Sequence, residues 1–463
     1  MSQKNDTIPL ALSLIITIGL GFGGFSLFKD QIFPSQKQPT QDIRISFGEK
    51  VLTPGDASLA KKEGIQALAN KNYNQAIANL EAALKARPND PEALIFLNNA
   101  RIGSTKSYTI ATSVPFGKEP NSSLEILRGV AQAQNEINAS GGINGVPVKI
   151  GIANDDNDPN IVEQIASNLV KNSEVLGVIG HNSSDATLAA GRIYNAGKLV
   201  AITPTSTSVK ISKLSPYVFR TVPSDFTSAR TLAHYMVNTL KKQNAAVFFS
   251  SKSDYSQSLK SEFTSSLLLE GGQVSREFDL SQADFSAVES LAQAQQTGAE
   301  VLMIAANAGT LDKALQVVQV NQKQLPLLGG DSVYTPKTLE IGREPAVGMV
   351  LAVPWHIDGN SQSNFPQTSQ KLWSAQVNWR TALAYDATRA LSAALARNPT
   401  RAGIQQVLVS SDFSTTGASG TIRFLQSGDR NAPVQLVNIA PGSRSRTGYD
   451  FVPLPISAAK IRN

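Results

Sequence analysis

The chain has 463 residues, more than a single hydrophobic core usually spans, so two or three structural units are expected. Charged residues make up 17 % and hydrophobic residues 41 %, which excludes disorder over most of the length. The net charge of +6 is scattered, without a basic block or interleaved aromatics, which excludes nucleic acid as a partner; the absence of cysteine excludes disulfides, thiolate metal sites, cysteine nucleophiles and a lipidated N-terminal cysteine.

Thr7 to Phe28 (TIPLALSLIITIGLGFGGFSLF) runs for 22 residues without a charge. As a helix it reaches about 33 Å, enough to cross a bilayer. It reads as a membrane segment or a signal peptide, and the lack of a small-x-small cleavage site after Gly24 favours an uncleaved anchor over residues 1–28. Gly19, Gly21 and Gly24 spell G-x-G-x-x-G, but no strand precedes them, so close helix packing or chance is the better reading. Residues 29–55, rich in Gln, Pro, Asp and Lys, read as a flexible spacer.

Residues 56–103 carry Ala60, Gly64, Ala67, Tyr73, Ala76, Leu80, Ala83 and Pro88 at the offsets of a tetratricopeptide repeat, followed by a third helix over Pro91–Arg101. One repeat falls short of the three or so that an independent solenoid needs, so it is expected to dock on a neighbouring domain or a partner. A plain helical hairpin used as a spacer and a peptide-binding repeat fit equally well.

After Ser104 strands alternate with amphipathic helices, the pattern of a parallel sheet covered on both faces. Strands are expected at Ser107–Thr112, Val148–Ala153, Val175–Ile179, Leu199–Thr203, Ala245–Ser250, Val301–Ala305 and Leu325–Leu328. A helix over Ser122–Ser140 is expected to start with a Ser122-x-x-Glu125 capping box. Asp155, Asp156 and Asp158 lack the Gly and the distal Glu of a calcium loop, and read as helix capping after a strand.

The fragments GGINGVPVKI, DDNDP, GHNSS, ITPTSTS, VFRTVPSD, SDYSQSL, GGDSVY and TALAYDA follow one another in an order that resembles the leucine/isoleucine/valine-binding family of type I periplasmic binding proteins. The resemblance covers about residues 107–450 and rests on the ordered series. It implies an α/β fold with two doubly wound parallel-sheet lobes, hinged by three crossovers near Thr221–Ser224, Ala352–Trp355 and Thr421–Phe424. Lobe 1 is expected over about 107–221 and 355–422, and lobe 2 over about 222–354 and 423–452, within a ligand-binding domain of residues 104–463. The resemblance also implies capture of a small amino acid outside the cytoplasmic membrane, for ABC permease subunits, without a cofactor. A membrane-tethered sensor that meets a protein partner through the helical repeat is the second reading.

An α-amino acid needs an anion cradle opposite a carboxylate. Ser184, beside Ser183, opens a helix after a strand, where free N–H groups and the helix dipole favour an anion. By resemblance, Thr205 and Thr207 stand at the family's carboxylate-binding positions, Asp331 at its ammonium-binding position, and Tyr255 at the tyrosine that closes over the ligand. Asn307 stands where the leucine-type protein has a tyrosine, which points to a smaller or more polar ligand. The plainer alternatives are an N-cap at Ser184, turn residues at Thr205 and Thr207, and a packed aromatic at Tyr255.

The histidines, His181, His234 and His356, are far apart in sequence. His181 next to Ser183 and Ser184 is the one tempting catalytic pair, but no G-x-S-x-G elbow surrounds those serines. A binding protein is therefore expected, not an enzyme.

Overall fold

The computed structural model describes residues 44–359 and 363–455. The apolar segment Thr7–Phe28 and most of the expected spacer lie outside the described residues; among those described, no helix is long and apolar enough to cross a membrane. From Arg44 onward the spacer is ordered. Strand β1 (Ile45–Ser46) pairs antiparallel with the edge of the first sheet, and helices α1 (Leu59–Ala69), α2 (Tyr73–Ala86) and α3 (Pro91–Ile102) follow. Helices α1 and α2 cross closely because Gly64 has no side chain: a Cβ there would lie 2.8 Å from Leu80 Cγ. Helix α3 is apolar on nearly every face and is buried throughout except at Arg101, as expected of a helix enclosed on all sides. Its Ile95 and Phe96 belong to the same core as Ile110 and Ile126, so the helical segment is fused to the first lobe.

One buried carboxylate fixes this region. Glu92 accepts the Leu52 N–H at 2.7 Å, the Thr53 N–H at 3.2 Å and the Thr53 hydroxyl at 2.6 Å, and pairs with Lys61 Nζ at 2.8 Å. Lys61 is also buried and bonds to Asp90. Burial opposes its charge, but Glu92 and Asp90 outweigh burial and hold its pKa above the usual value. Side-chain acceptors, not a strand ladder, order residues 52–53, which is why no period marks them.

The first lobe is built on a six-stranded sheet. To β1 it adds β2 (Tyr108–Val114), β3 (Val148–Asn154), β4 (Val175–Ile179), β5 (Val200–Thr203) and β6 (Val218–Arg220), in the order β1-β3-β2-β4-β5-β6, all parallel except β1. Helices α4 (Pro120–Ala139), α5 (Pro159–Lys171) and α6 (Ser184–Gly197) make the crossovers. Helix α4 starts at Pro120, two residues before the expected Ser122. Proline suits a first helical position, and Glu125, in place of closing a capping box, pairs with Arg128.

The second lobe repeats the plan. Helix α7 (Asp225–His234) leads to β7 (Asn244–Phe249), α8 (Asp254–Leu269), β8 (Gln273–Asp279), α9 (Ala287–Gln296), β9 (Val301–Ala305), α10 (Leu311–Asn321), β10 (Leu327–Gly329), α11 (Pro336–Ala346) and β11 (Val350–Val353). Helices α12 (Phe365–Trp373), α13 (Trp379–Arg397) and α14 (Arg401–Leu408) return to the first core, followed by the small hairpin β12 (Thr415–Gly417) and β13 (Gly420–Ile422). Strands β14 (Gln435–Pro441) and β15 (Tyr449–Pro453) then complete the second sheet, in the order β15-β14-β11-β10-β9-β7-β8, antiparallel only at β14 and β15. Helices α4 and α13 touch backbone to backbone, since a Cβ on Gly129 would lie 2.2 Å from the Thr381 carbonyl oxygen.

Two buried arginines brace the chain where it passes between lobes. Arg220 donates to Asp429 at 2.6 Å, to the Thr207 and Ser208 carbonyls and to Ser212. Arg430 donates to Asp386 at 2.9 Å and to the Thr421 carbonyl.

Removing Glu92 leaves Lys61 buried with one partner and three donors without acceptors. E92A is expected to lower the unfolding free energy by about 3 kcal/mol, measured by urea denaturation followed by circular dichroism. A change below about 0.5 kcal/mol, the range of ordinary surface substitutions, would show that the segment is not held this way.

Candidate ligand-binding site

In an open parallel sheet a ligand sits beyond the carboxyl ends of the strands, where strand order reverses. Here the reversals fall between β2 and β4 in the first sheet and between β7 and β9 in the second. The segments that leave these strands, and those after β5 and β10, line one cavity of about 240 Å³. That lies below the roughly 300–1,000 Å³ of sites for drug-sized ligands and suits a smaller molecule.

Six of the seven residues singled out in the sequence line this cavity: Ser183, Ser184, Thr205, Tyr255, Asn307 and Asp331. Ser183 is the N-cap of α6, its hydroxyl accepting the Ala186 N–H at 3.1 Å. Ser184 is the first helical residue and is buried. Its hydroxyl oxygen accepts the Ser208 N–H at 3.2 Å, so the hydroxyl proton remains available to an acceptor. The N–H groups of Ser184 and Asp185 fall in the first turn, where the helix supplies no acceptor. They are the donors on this wall able to receive an anion, beside the Asp185 carboxylate, which also lines the cavity.

Thr205 lines the cavity, but its hydroxyl donates to the Asn182 carbonyl at 2.7 Å, so it braces the cradle loop. Thr207 does not line the cavity. Its carbonyl accepts from Arg220, and its buried hydroxyl lies near Asp225. Asn307 caps a short turn after β9, its side chain accepting from the Thr310 hydroxyl at 2.7 Å.

On the second lobe Asp331 is buried. Burial pushes its carboxyl above the usual carboxylate range, against the Tyr255 hydroxyl and the Arg380 charge, which favour ionisation. The Tyr255 hydroxyl accepts the Ser332 N–H at 3.4 Å and packs on Gly330, where a Cβ would lie 2.4 Å from it. Burial and the neighbouring Asp331 charge raise the Tyr255 pKa well above its ordinary value, so the phenol stays protonated. Asp225 lies close enough for its charge to be felt at Tyr255, and burial, reinforced by the Asp331 charge, pushes it up to about 7.

The cavity also has walls that the sequence did not suggest. Trp379 and Arg380, the first two residues of α13, line it, as do Lys118 and Glu119 after β2. Both Glu119 oxygens are engaged, one by Asn157 at 2.8 Å, the other by Asn182 at 3.1 Å and Ser122 at 3.2 Å. Asp185 spans to the second lobe, accepting the Asp254 N–H at 3.1 Å.

His181 faces away from the serines. Its Nδ1 bonds to Asp155 at 2.6 Å and its Nε2 to the Tyr194 hydroxyl at 2.9 Å, all three side chains being buried. Its carbonyl accepts the Thr203 hydroxyl at 2.8 Å and the Ser206 hydroxyl at 3.2 Å. With both ring nitrogens committed, His181 anchors the cradle loop and is not placed to activate Ser183 or Ser184.

Comparison with known proteins agrees with this architecture. The leucine-specific-binding protein of Salmonella typhimurium (strain LT2) is 26 % identical over 315 residues, 65 % of this chain and 82 % of that protein. An amino acid binding protein of Pseudomonas aeruginosa is 35 % identical over 133 residues, a match spanning 28 % of this chain and only 35 % of that protein. The solved structure of a leucine binding protein from Thermotoga maritima MSB8 shares the fold, with a TM-score of 0.66 at 23 % identity over 75 % of this chain and 99 % of that one. The family model described as periplasmic binding protein matches residues 103–444, so α1 to α3 lie outside the match. The chain belongs to the periplasmic binding protein family.

Proposed function

We propose that the chain captures a small amino acid between its lobes outside the cytoplasmic membrane and presents it to an ABC-type importer. The observation that carries this reading is the pairing, across one small cavity, of the α6 N-terminus and Ser184 with the buried Asp331 carboxylate. The two ends match the carboxylate and ammonium of an α-amino acid. Ser183, Thr205 and Tyr255 shape the walls, and Asn307 biases the side-chain end toward a small or polar group. The amino-acid binding of the named relatives supports the same reading. In this reading Thr7–Phe28 tethers the protein to the membrane, with the bulk of the chain in the periplasm.

A second reading, a tethered sensor or scaffold, draws on α1 to α3, which lie outside the family match and cover one side of the first lobe. In that case the tetratricopeptide-like hairpin contacts a protein partner, and cross-linking of the full chain recovers that partner in place of permease subunits.

Calorimetry of the purified chain against the twenty amino acids is expected to give saturable heat with at least one of them, and silence with all would refute the amino-acid reading. D331A is expected to weaken that binding by roughly 2 to 5 kcal/mol, because the ligand ammonium is left unpaired in a desolvated cleft.

The raised pKa of Asp331 adds a pH signature. Burial in the empty site raises the carboxyl toward its protonated form, whereas an ammonium ligand favours the carboxylate. At or below the free-site pKa binding therefore releases a proton, and affinity falls as pH drops below that pKa, by up to about tenfold per unit. Proton release measured in two buffers of different ionisation enthalpy checks this, and it should vanish in D331N.

A further inference from the structure

We propose that the ligand carries a second anionic group, and that Arg380 receives it: the site is built for an acidic amino acid. The inference rests on the amino-acid reading above and narrows it to a substrate class.

Among the described residues four lysine or arginine side chains are buried: Lys61, Arg220, Arg380 and Arg430. Three have carboxylate partners, Lys61 with Asp90 and Glu92, Arg220 with Asp429 and Arg430 with Asp386. Arg380 has none within ion-pair distance among the described residues. It is 7 % exposed, lines the cavity, and makes one long hydrogen bond, from Nη1 to the Tyr334 carbonyl at 3.4 Å. Its guanidinium stacks on the Trp379 ring at 4.3 Å, a contact that fixes the plane and uses no N–H. A guanidinium offers five donors in a planar fork, and a buried one without an anion is costly.

The neighbouring carboxylates do not fill that role. Glu119 is saturated by Asn157, Asn182 and Ser122, and Asp185 is engaged by the Asp254 N–H. Asp331 lies near enough to feel the Arg380 charge but not to pair with it, and it is the carboxylate left for the ligand ammonium. The cradle at α6 takes one carboxylate, so the guanidinium is a second, separate anion site. The rest of the lining suits such a ligand, since Asn121, Ser122, Asn307 and the exposed Lys118 contribute polar groups to it. A branched aliphatic side chain would desolvate Arg380 and give it nothing in return.

The test is calorimetry on the full chain with two near-isosteric pairs, glutamate against glutamine and aspartate against asparagine, with leucine as the apolar reference. One acidic member is expected to bind at least about tenfold tighter than its amide, the difference that an added charge-assisted pair commonly makes. In R380M that ratio should collapse to within about threefold, with R380K intermediate, and thermal unfolding of each variant checks that it is folded. If R380M is unfolded, the wild-type ratio alone decides. An amide or leucine bound as tightly as the better of the two acids overturns the second anion site while the amino-acid reading stands. Equal weakening of acid and amide in R380M also overturns it, because Arg380 would then hold the α-carboxylate. If no amino acid binds, both readings fall.

Discussion

The carboxyl ends of two parallel sheets point at one cleft, and everything at the site depends on that constraint. Parallel strands connected by helices release the chain on the same edge each time, so β2, β4 and β5 deliver Glu119, Ser184 and Thr205 to one wall. Strands β7, β9 and β10 deliver Tyr255, Asn307 and Asp331 to the other. At the reversals in strand order neighbouring crossover helices diverge to opposite faces, which opens the crevice without any cavity being cut into a packed core.

The cleft is also the place where the protein leaves polar groups incomplete. Away from it, most buried charges have a carboxylate or cation beside them: Glu92 satisfies two backbone N–H groups, a hydroxyl and Lys61, and Arg430 pairs with Asp386. In the cleft Asp331 is buried beside a protonated phenol and a guanidinium that does not reach it, and the first turn of α6 presents donors without acceptors. Such a surface gains from a zwitterion what a packed core gains from its own partners. Gly330 shows how tightly the second wall is fitted, because any side chain there would displace the Tyr255 hydroxyl.

Much of this was legible in the sequence because it follows from period and punctuation. The strand-then-helix rhythm located the wall segments, and Ser183–Ser184 after Val175–Ile179 marked a helix start on a strand end. Thr207 is not among the residues lining the cavity, and the Arg220 bond to its carbonyl ties its backbone to the hinge, a contact that no sequence pattern announces. Arg380 was missed for a different reason: at the start of a long helix far from Asp331 in sequence, an arginine looks like a surface residue, and its burial depends on how α13 packs against α4. The ordered stretch after Arg44 carries no period, since its partner is a single glutamate some forty residues away. Helix α3 did carry its signal. PEALIFLNNAR is apolar around most of its circumference, the mark of a helix with no solvent face.

Few direct bonds close the cleft. Among the described residues the cleft walls meet through the Asp254 N–H on Asp185, the exposed ion pair of Lys210 with Asp254, the Val209 N–H on Ser258 and the long bond from Arg380 to the Tyr334 carbonyl. Each contributes about 1 kcal/mol at most in a solvated setting, so the contacts between the lobes hold closure only weakly. A ligand that grips the α6 N-terminus on one wall and Asp331 on the other adds charge-assisted bonds to both lobes at once, and such bonds exist only when the lobes are together. Its differential affinity for the closed form then sets the hinge, while the braces at Arg220 and Arg430 lie behind the pivot and do not contact the cavity. Under the proposed function, the residues that recognise the ligand also decide whether the surface offered to a partner is that of the open or the closed molecule.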